Sequence, residues 1–98
     1  MKNGAHMKNK SQLKIKETRR QRSNDFRSVY AGDINSTSSF YDLTLIFGQF
    51  RNQAGEWIIE ESVAVTIAWE HAVRFHTLLG RLVEDYEREH GKIRVKPA

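Results

Sequence analysis

The hydrophobic period of this chain changes near residue 68. Before that point apolar and polar residues alternate; after it, apolar residues recur every three or four positions. Tyr41, Leu43, Leu45 and Phe47 fall on one side of an alternating run, and Asp42, Thr44 and Gly48 on the other, with Ile46 as the exception. Phe40 and Phe50 share that second side, which is therefore only partly polar. Residues 51–56 hold Asn52, Gln53 and Gly55 and predict a hairpin loop. A second run follows over 57–67, with Trp57, Ile59, Val63, Val65 and Ile67 on one side. Glu61 falls among these apolar residues, which predicts a bulge or a frayed start beside it. Upstream, 29–34 reads as a short strand and Asn35-Ser36-Thr37-Ser38-Ser39 as a turn.

Beyond residue 68, Ala72, Phe75, Leu79, Leu82 and Tyr86 are spaced 3, 4, 3, 4, and Val73, Leu78 and Val83 widen the stripe. This predicts an amphipathic helix from about Trp69 to His90, ended by Gly91. Glu70 suits the positive end of its dipole, and Glu70–Arg74, Arg81–Asp85 and Glu84–Arg88 have the spacing of ion pairs. The predicted fold class is α+β: a three-stranded antiparallel meander followed by one long helix on one face of the sheet. A single helix covers one sheet face only. The apolar residues of the other face, Phe40, Ile46 and Phe50, together with Tyr41 and Trp57, are then expected to form a protein interface, and the chain to be a homodimer.

Charge divides the chain in a second way. Residues 1–22 carry eight Lys or Arg against Glu17, a net +7; residues 23–98 carry eight against eleven acids, a net −3. The formal total of +4 is thus a basic arm on a mildly acidic domain. Residues 8–25 hold only Leu13 and Ile15 as large apolar groups, too few to offset an ordering entropy of about 1–2 kcal/mol per residue, and residues 1–25 are read as a disordered arm. Within it, residues 1–7 have the look of a cloning remnant. A single domain over 26–93 and a short tail over 94–98 complete the division. The arm's Lys14, Lys16, Arg19, Arg20 and Arg22 are the candidates for phosphate contacts. Without interleaved aromatics they do not suggest base stacking. A solubilising tail, a nucleic-acid anchor, and a contact for an acidic protein or membrane surface all remain open for this segment.

Size adds one constraint. The roughly 65–70 residues outside the arm make a core of marginal stability, and self-association is the usual support for one lacking disulfides and metal. The chain has no Cys, which excludes thiolate zinc sites. It has no apolar run near 20 residues and no apolar stretch after its basic start, so a cytoplasmic protein is expected.

The residues that could carry chemistry are few. His71 and His76 lie five positions apart, about 140° around a helix, and cannot share a metal as an i,i+4 pair would. A site shared across a dimer is the alternative to surface histidines, and no metal or cofactor is expected. Asp42 is a candidate acceptor for a partner's Arg or N–H; otherwise it caps the Ser-rich turn or contacts His71. Gly48 marks a bend or a close approach of backbone. Glu60 and Glu61 alternate across a strand and are not an acid/base pair. The hydroxyls of Ser36, Thr37, Ser38 and Ser39 have no partner motif. An enzyme is not expected.

Three stretches carry a likeness to known proteins: Val29-Tyr30-Ala31-Gly32-Asp33, Tyr41-Asp42-Leu43-Thr44-Leu45-Ile46-Phe47-Gly48-Gln49, and Val65-Thr66-Ile67-Ala68-Trp69-Glu70-His71-Ala72, with Asp85-Tyr86-Glu87 and Gly91 after them. Over residues 26–93 the chain resembles a bacterial domain of unknown function, family 3467, whose helix tends to open Ser-Pro-x-His-Ala. Ala68 and Trp69 depart from that Ser-Pro, removing a cap hydroxyl and a first-turn proline. Val73 stands where the family commonly has Lys. The resemblance implies the strand–strand–helix order and brings no activity with it. The functional expectation is a non-catalytic interaction or assembly module with a basic arm. A small nucleic-acid-binding regulator and a peptide-binding, chaperone-like module are the alternatives.

Overall fold

The computed structural model describes residues 18–97. Three antiparallel strands, β1 (Asp33–Ser38), β2 (Asp42–Gln53) and β3 (Glu56–Ala68), lie side by side in chain order and are followed by one helix, α1 (Trp69–His90). The α+β meander-plus-helix architecture is the one the periodicity predicts. Among the described residues no helix is long and apolar enough to cross a membrane.

The first strand differs from expectation. Strand pairing begins at Asp33, not near Val29, and runs through the residues expected to turn, from Asp33 opposite Gly48 to Ser38 opposite Leu43. Backbone pairing with β2 outweighs the turn preference of Asn and Ser here, because an edge strand leaves polar side chains in water and loses little by carrying them. The turn is confined to residues 39–41. There the Ser39 hydroxyl accepts from the N–H of Tyr41 and of Asp42 and donates to Asp42 Oδ1, at 3.0, 3.1 and 3.0 Å. The hairpin loop of β2 and β3 is also tighter than the six residues expected. Gln53 pairs with Glu56, leaving only Ala54 and Gly55, both at positive φ (53° and 86°) as a type I′ turn requires. Asn52 Oδ1 accepts from Gly55 N–H and closes it.

The expected bulge lies where β2 and β3 change register between Phe47 and Gly48: Val63 stands opposite Phe47 and Glu61 opposite Gly48, so Ser62 is the extra residue. Gly48 makes this possible. A Cβ on it would lie 2.6 Å from the Glu60 carbonyl oxygen. The bulge also reassigns faces. Val63, Val65 and Ile67 pair with Phe47, Leu45 and Leu43 on one face, whereas Ile59 and Trp57 pair with Phe50 and Asn52 on the other. The expectation that Trp57 and Ile59 share a face with Val65 is therefore corrected by one inserted residue.

Helix α1 begins directly after the last residue of β3. The junction has no connecting residues, where strand–helix loops commonly have about 2–6, and the contact between α1 and the sheet is sparse. Only its first turns lean over the sheet, at His71 and Phe75. The helix follows the meander as expected, and it meets the sheet through its first turns. Of the expected ion pairs only Glu70–Arg74 forms, at 3.2 Å; Asp85 is taken by Arg88 three residues on. Gly91, at φ 91°, ends the helix, its N–H bonded to the Glu87 carbonyl.

Candidate interaction surface

The packing that results is unusual for a folded domain. Among the described residues no hydrophobic side chain is buried, and the one buried residue is Gly48. Twenty large apolar side chains are exposed. They fall into distinct groups set by the strand registers and the helix period.

The first group is the apolar end of one sheet face. Leu43, Leu45, Phe47, Val63, Val65 and Ile67 share it with Ile34 of β1. Farther along, the same face turns polar, and Arg51 is held by both carboxylate oxygens of Glu60 at 2.8 Å. That hydrogen bond, with the attraction of the carboxylate, raises the Arg51 pKa above its ordinary value. Where α1 leans over the apolar end, Leu45, Phe47, Val65, Ile67, His71 and Phe75 line an open groove of about 300 Å³. His71 is its polar member.

The second group is the helix stripe. Phe75, Leu78, Leu79, Leu82, Val83 and Tyr86 are each 39–55% exposed, and no α1 residue is buried. These residues were expected to pack on the sheet. Their spacing, a 3, 4, 3, 4 seam widened by Leu78 and Val83, suits packing on a sheet or on another helix alike.

Of the expected interface residues, Ile46, Phe50 and Trp57 share one sheet face by register. Phe40 and Tyr41 sit in the β1–β2 turn, 88% and 78% exposed, with rings edge to face at 5.2 Å. Phe50 and Trp57 are exposed near the far end of the β2–β3 hairpin, roughly 26 Å along β2 from its start at about 3.3 Å per residue. Ile46 lies between them, half-buried beside Ala64 and Asn35.

Asp42 accepts the Ser39 hydroxyl and so caps the turn, while His71 lies in the groove. Trp69 joins the same node: its indole N–H donates to the Ser39 carbonyl at 2.9 Å, fixing the start of α1 to the β1–β2 turn. The histidines are dispersed, with His90 packed on Tyr86 at 4.6 Å. Among the described residues no three His, Asp or Glu side chains converge as metal ligands would.

Of the arm, Lys14 and Lys16 lie outside the described residues. Arg19, Arg20 and Arg22 are exposed. Arg22 packs over the Phe26 ring, 4.3 Å from its centroid. Arg27, which sequence reasoning passed over, donates to the Ser62 carbonyl at 2.9 Å and thereby satisfies the bulge. Gly32 N–H bonds to the Gly48 carbonyl, so the chain passes from β3 to the head of β1 across the central strand.

The family described as a protein of unknown function, DUF3467, matches residues 1–95. The chain belongs to this family. The match is wider than the 26–93 span of the motifs and takes in the basic segment together with the strands and the helix. No curated protein and no solved structure matches the chain.

Proposed function

We propose that this chain is a non-catalytic assembly module whose folded unit is completed by a second copy of itself. One observation carries the reading: among the described residues the strands and helix bury no hydrophobic side chain. Folding must offset about 1–2 kcal/mol of backbone entropy per residue, chiefly by removing apolar surface from water. A chain that keeps Phe75, Leu79, Leu82 and Tyr86 half-exposed has not yet removed it. The absence of Cys leaves association as the available support.

A second activity, binding of nucleic acid through the basic segment, is favoured by Arg19 and Arg20. Both are exposed, neither forms an ion pair among the described residues, and they continue a series of Lys residues that lies within the family match. Contacts of this kind are made to phosphates and weaken steeply with salt. Light scattering on the full chain and on Arg19→Ala/Arg20→Ala/Arg22→Ala, each with and without a random-sequence duplex, tests both readings. The expected result is a dimer for both proteins, with duplex taken up mainly by the unsubstituted chain at low salt. Monomers of both proteins would overturn the assembly reading. Equal uptake by the two would remove these arginines from any nucleic-acid role.

A further inference from the structure

Two copies of this chain can associate through several of the surfaces described, and the helix stripe distinguishes among them. We propose that the partner of α1 is α1 of a second copy, the two helices crossing antiparallel about Leu79. This rests on the assembly reading and specifies its interface.

Three observations point to that arrangement. The first is spacing. Ala72, Phe75, Leu79, Leu82 and Tyr86 make an a/d seam through three turns and more, and all but Ala72 are exposed. Such a seam matches another helix, with knobs entering holes.

The second is size. Leu79 lies at the middle of α1, and antiparallel crossing there sets Ala72 of one copy beside Tyr86 of the other and Phe75 beside Val83. At both ends of the seam Tyr86 and Phe75 thus meet the smaller Ala72 and Val83, while Leu82 comes to the level of His76. Parallel pairing would set Tyr86 against Tyr86 and Ala72 against Ala72, crowding one end and leaving a void at the other, and both faults cost stability in a close-packed interface.

The third is charge. Residues 69–79 carry Glu70 and Arg74, a net of zero, with His71 and His76 besides. Residues 80–90 carry Arg81 and Arg88 against Glu84, Asp85, Glu87 and Glu89, a net −2. Parallel helices would bring the two acidic halves together; antiparallel helices set each against the half of zero net charge.

The groove is explained by the same geometry. It opens beside Phe75 and His71, at the level of Ala72. The antiparallel partner brings its Leu82 and Tyr86 to that level. Their side chains then close the groove over Leu45 and Val65, and the Tyr86 hydroxyl meets His71, the polar group in the lining. The core missing from one chain is thus formed twice, once at each end of the helix pair.

The absence of Cys makes a direct test available. The variants are Leu79→Cys, Ala72→Cys and Tyr86→Cys singly, and Ala72→Cys/Tyr86→Cys together, each oxidised mildly and read as covalent dimer, with molar mass measured before oxidation. In the antiparallel pair the two copies of position 72 are roughly 21 Å apart along the axis, far beyond the about 7 Å between Cα atoms that a disulfide bridges. Leu79→Cys and the double variant are therefore expected to cross-link, and Ala72→Cys or Tyr86→Cys alone to remain uncoupled. Cross-linking of all three single variants would mean parallel helices and overturns the proposal. Dimers by mass that form no cross-link at any of these positions would place the interface elsewhere, overturning the helix pair and sparing the assembly reading. Monomers by mass, in the variants and in the unsubstituted chain, would end both.

Discussion

Gly48 shows how a single residue sets the shape of this sheet. The bulge opposite it sets Glu61 and Ser62 against one residue of β2, and the Glu60 carbonyl comes to 2.6 Å from where a Cβ would be. That atom is backbone and cannot swing aside. Gly48→Ala is expected to lower stability by about 1–3 kcal/mol, the usual cost of forcing atoms into packed space. Gly32→Ala, where nothing lies within 4 Å, is expected to change it by less than about 0.5 kcal/mol. Chemical denaturation of the two variants checks the contrast, and equal effects would contradict this account of the bulge. Gly48 was legible in the sequence as a close approach, and Glu61 as the place of a bulge. The faces beyond the bulge were not legible, because an inserted residue reverses the parity of every position behind it. Ile59 and Trp57 were assigned to the wrong face for that reason alone. The Trp69–Ser39 bond was invisible for a different reason: it spans 30 positions, and no local pattern encodes it.

At the scale of elements, the helix and the two longer strands follow from periodicity, and their observed bounds depart from expectation by at most a few residues. The first strand does not. Its sequence, DINSTS, has no alternation to detect, and it becomes a strand because β2 offers an edge to pair with. The helix begins without a side-chain cap: Ala68 has the extended backbone of an N-cap, at φ −69° and ψ 155°, but no oxygen to offer. Ala68→Ser supplies one, and is expected to stabilise the chain by about 1 kcal/mol. A thermal or denaturant midpoint that does not rise would mean that the first N–H groups of α1 have another acceptor. β3 passes into α1 with no linker, and beyond the groove at Phe75 the helix stripe stays about half-exposed. The stripe itself was legible; what covers it was not, because amphipathicity names a face to be buried and leaves the burying partner unnamed.

For the whole molecule, the exposed-face argument from sequence pointed to the sheet surface around Phe40, Ile46, Phe50 and Trp57. These residues turn out to be spread from one end of the sheet to the other. A second unpartnered surface is the helix stripe together with the groove at its base. A monomer built this way has a sheet held by backbone hydrogen bonds and a helix with little tertiary packing, and helices of this length owe most of their stability to packing. The account therefore binds folding to association: separating the copies should unfold them. If association and folding are bound in this way, stability depends on protomer concentration.

The most direct test is denaturant unfolding of the full chain over a hundredfold range of protein concentration, with molar mass followed by light scattering at the same concentrations. The account predicts a mass twice the 11.4 kDa of one chain under folding conditions. It also predicts a midpoint that climbs with concentration, and helix signal and dimer mass lost together. A species of 11.4 kDa that unfolds cooperatively at a midpoint independent of concentration would contradict it.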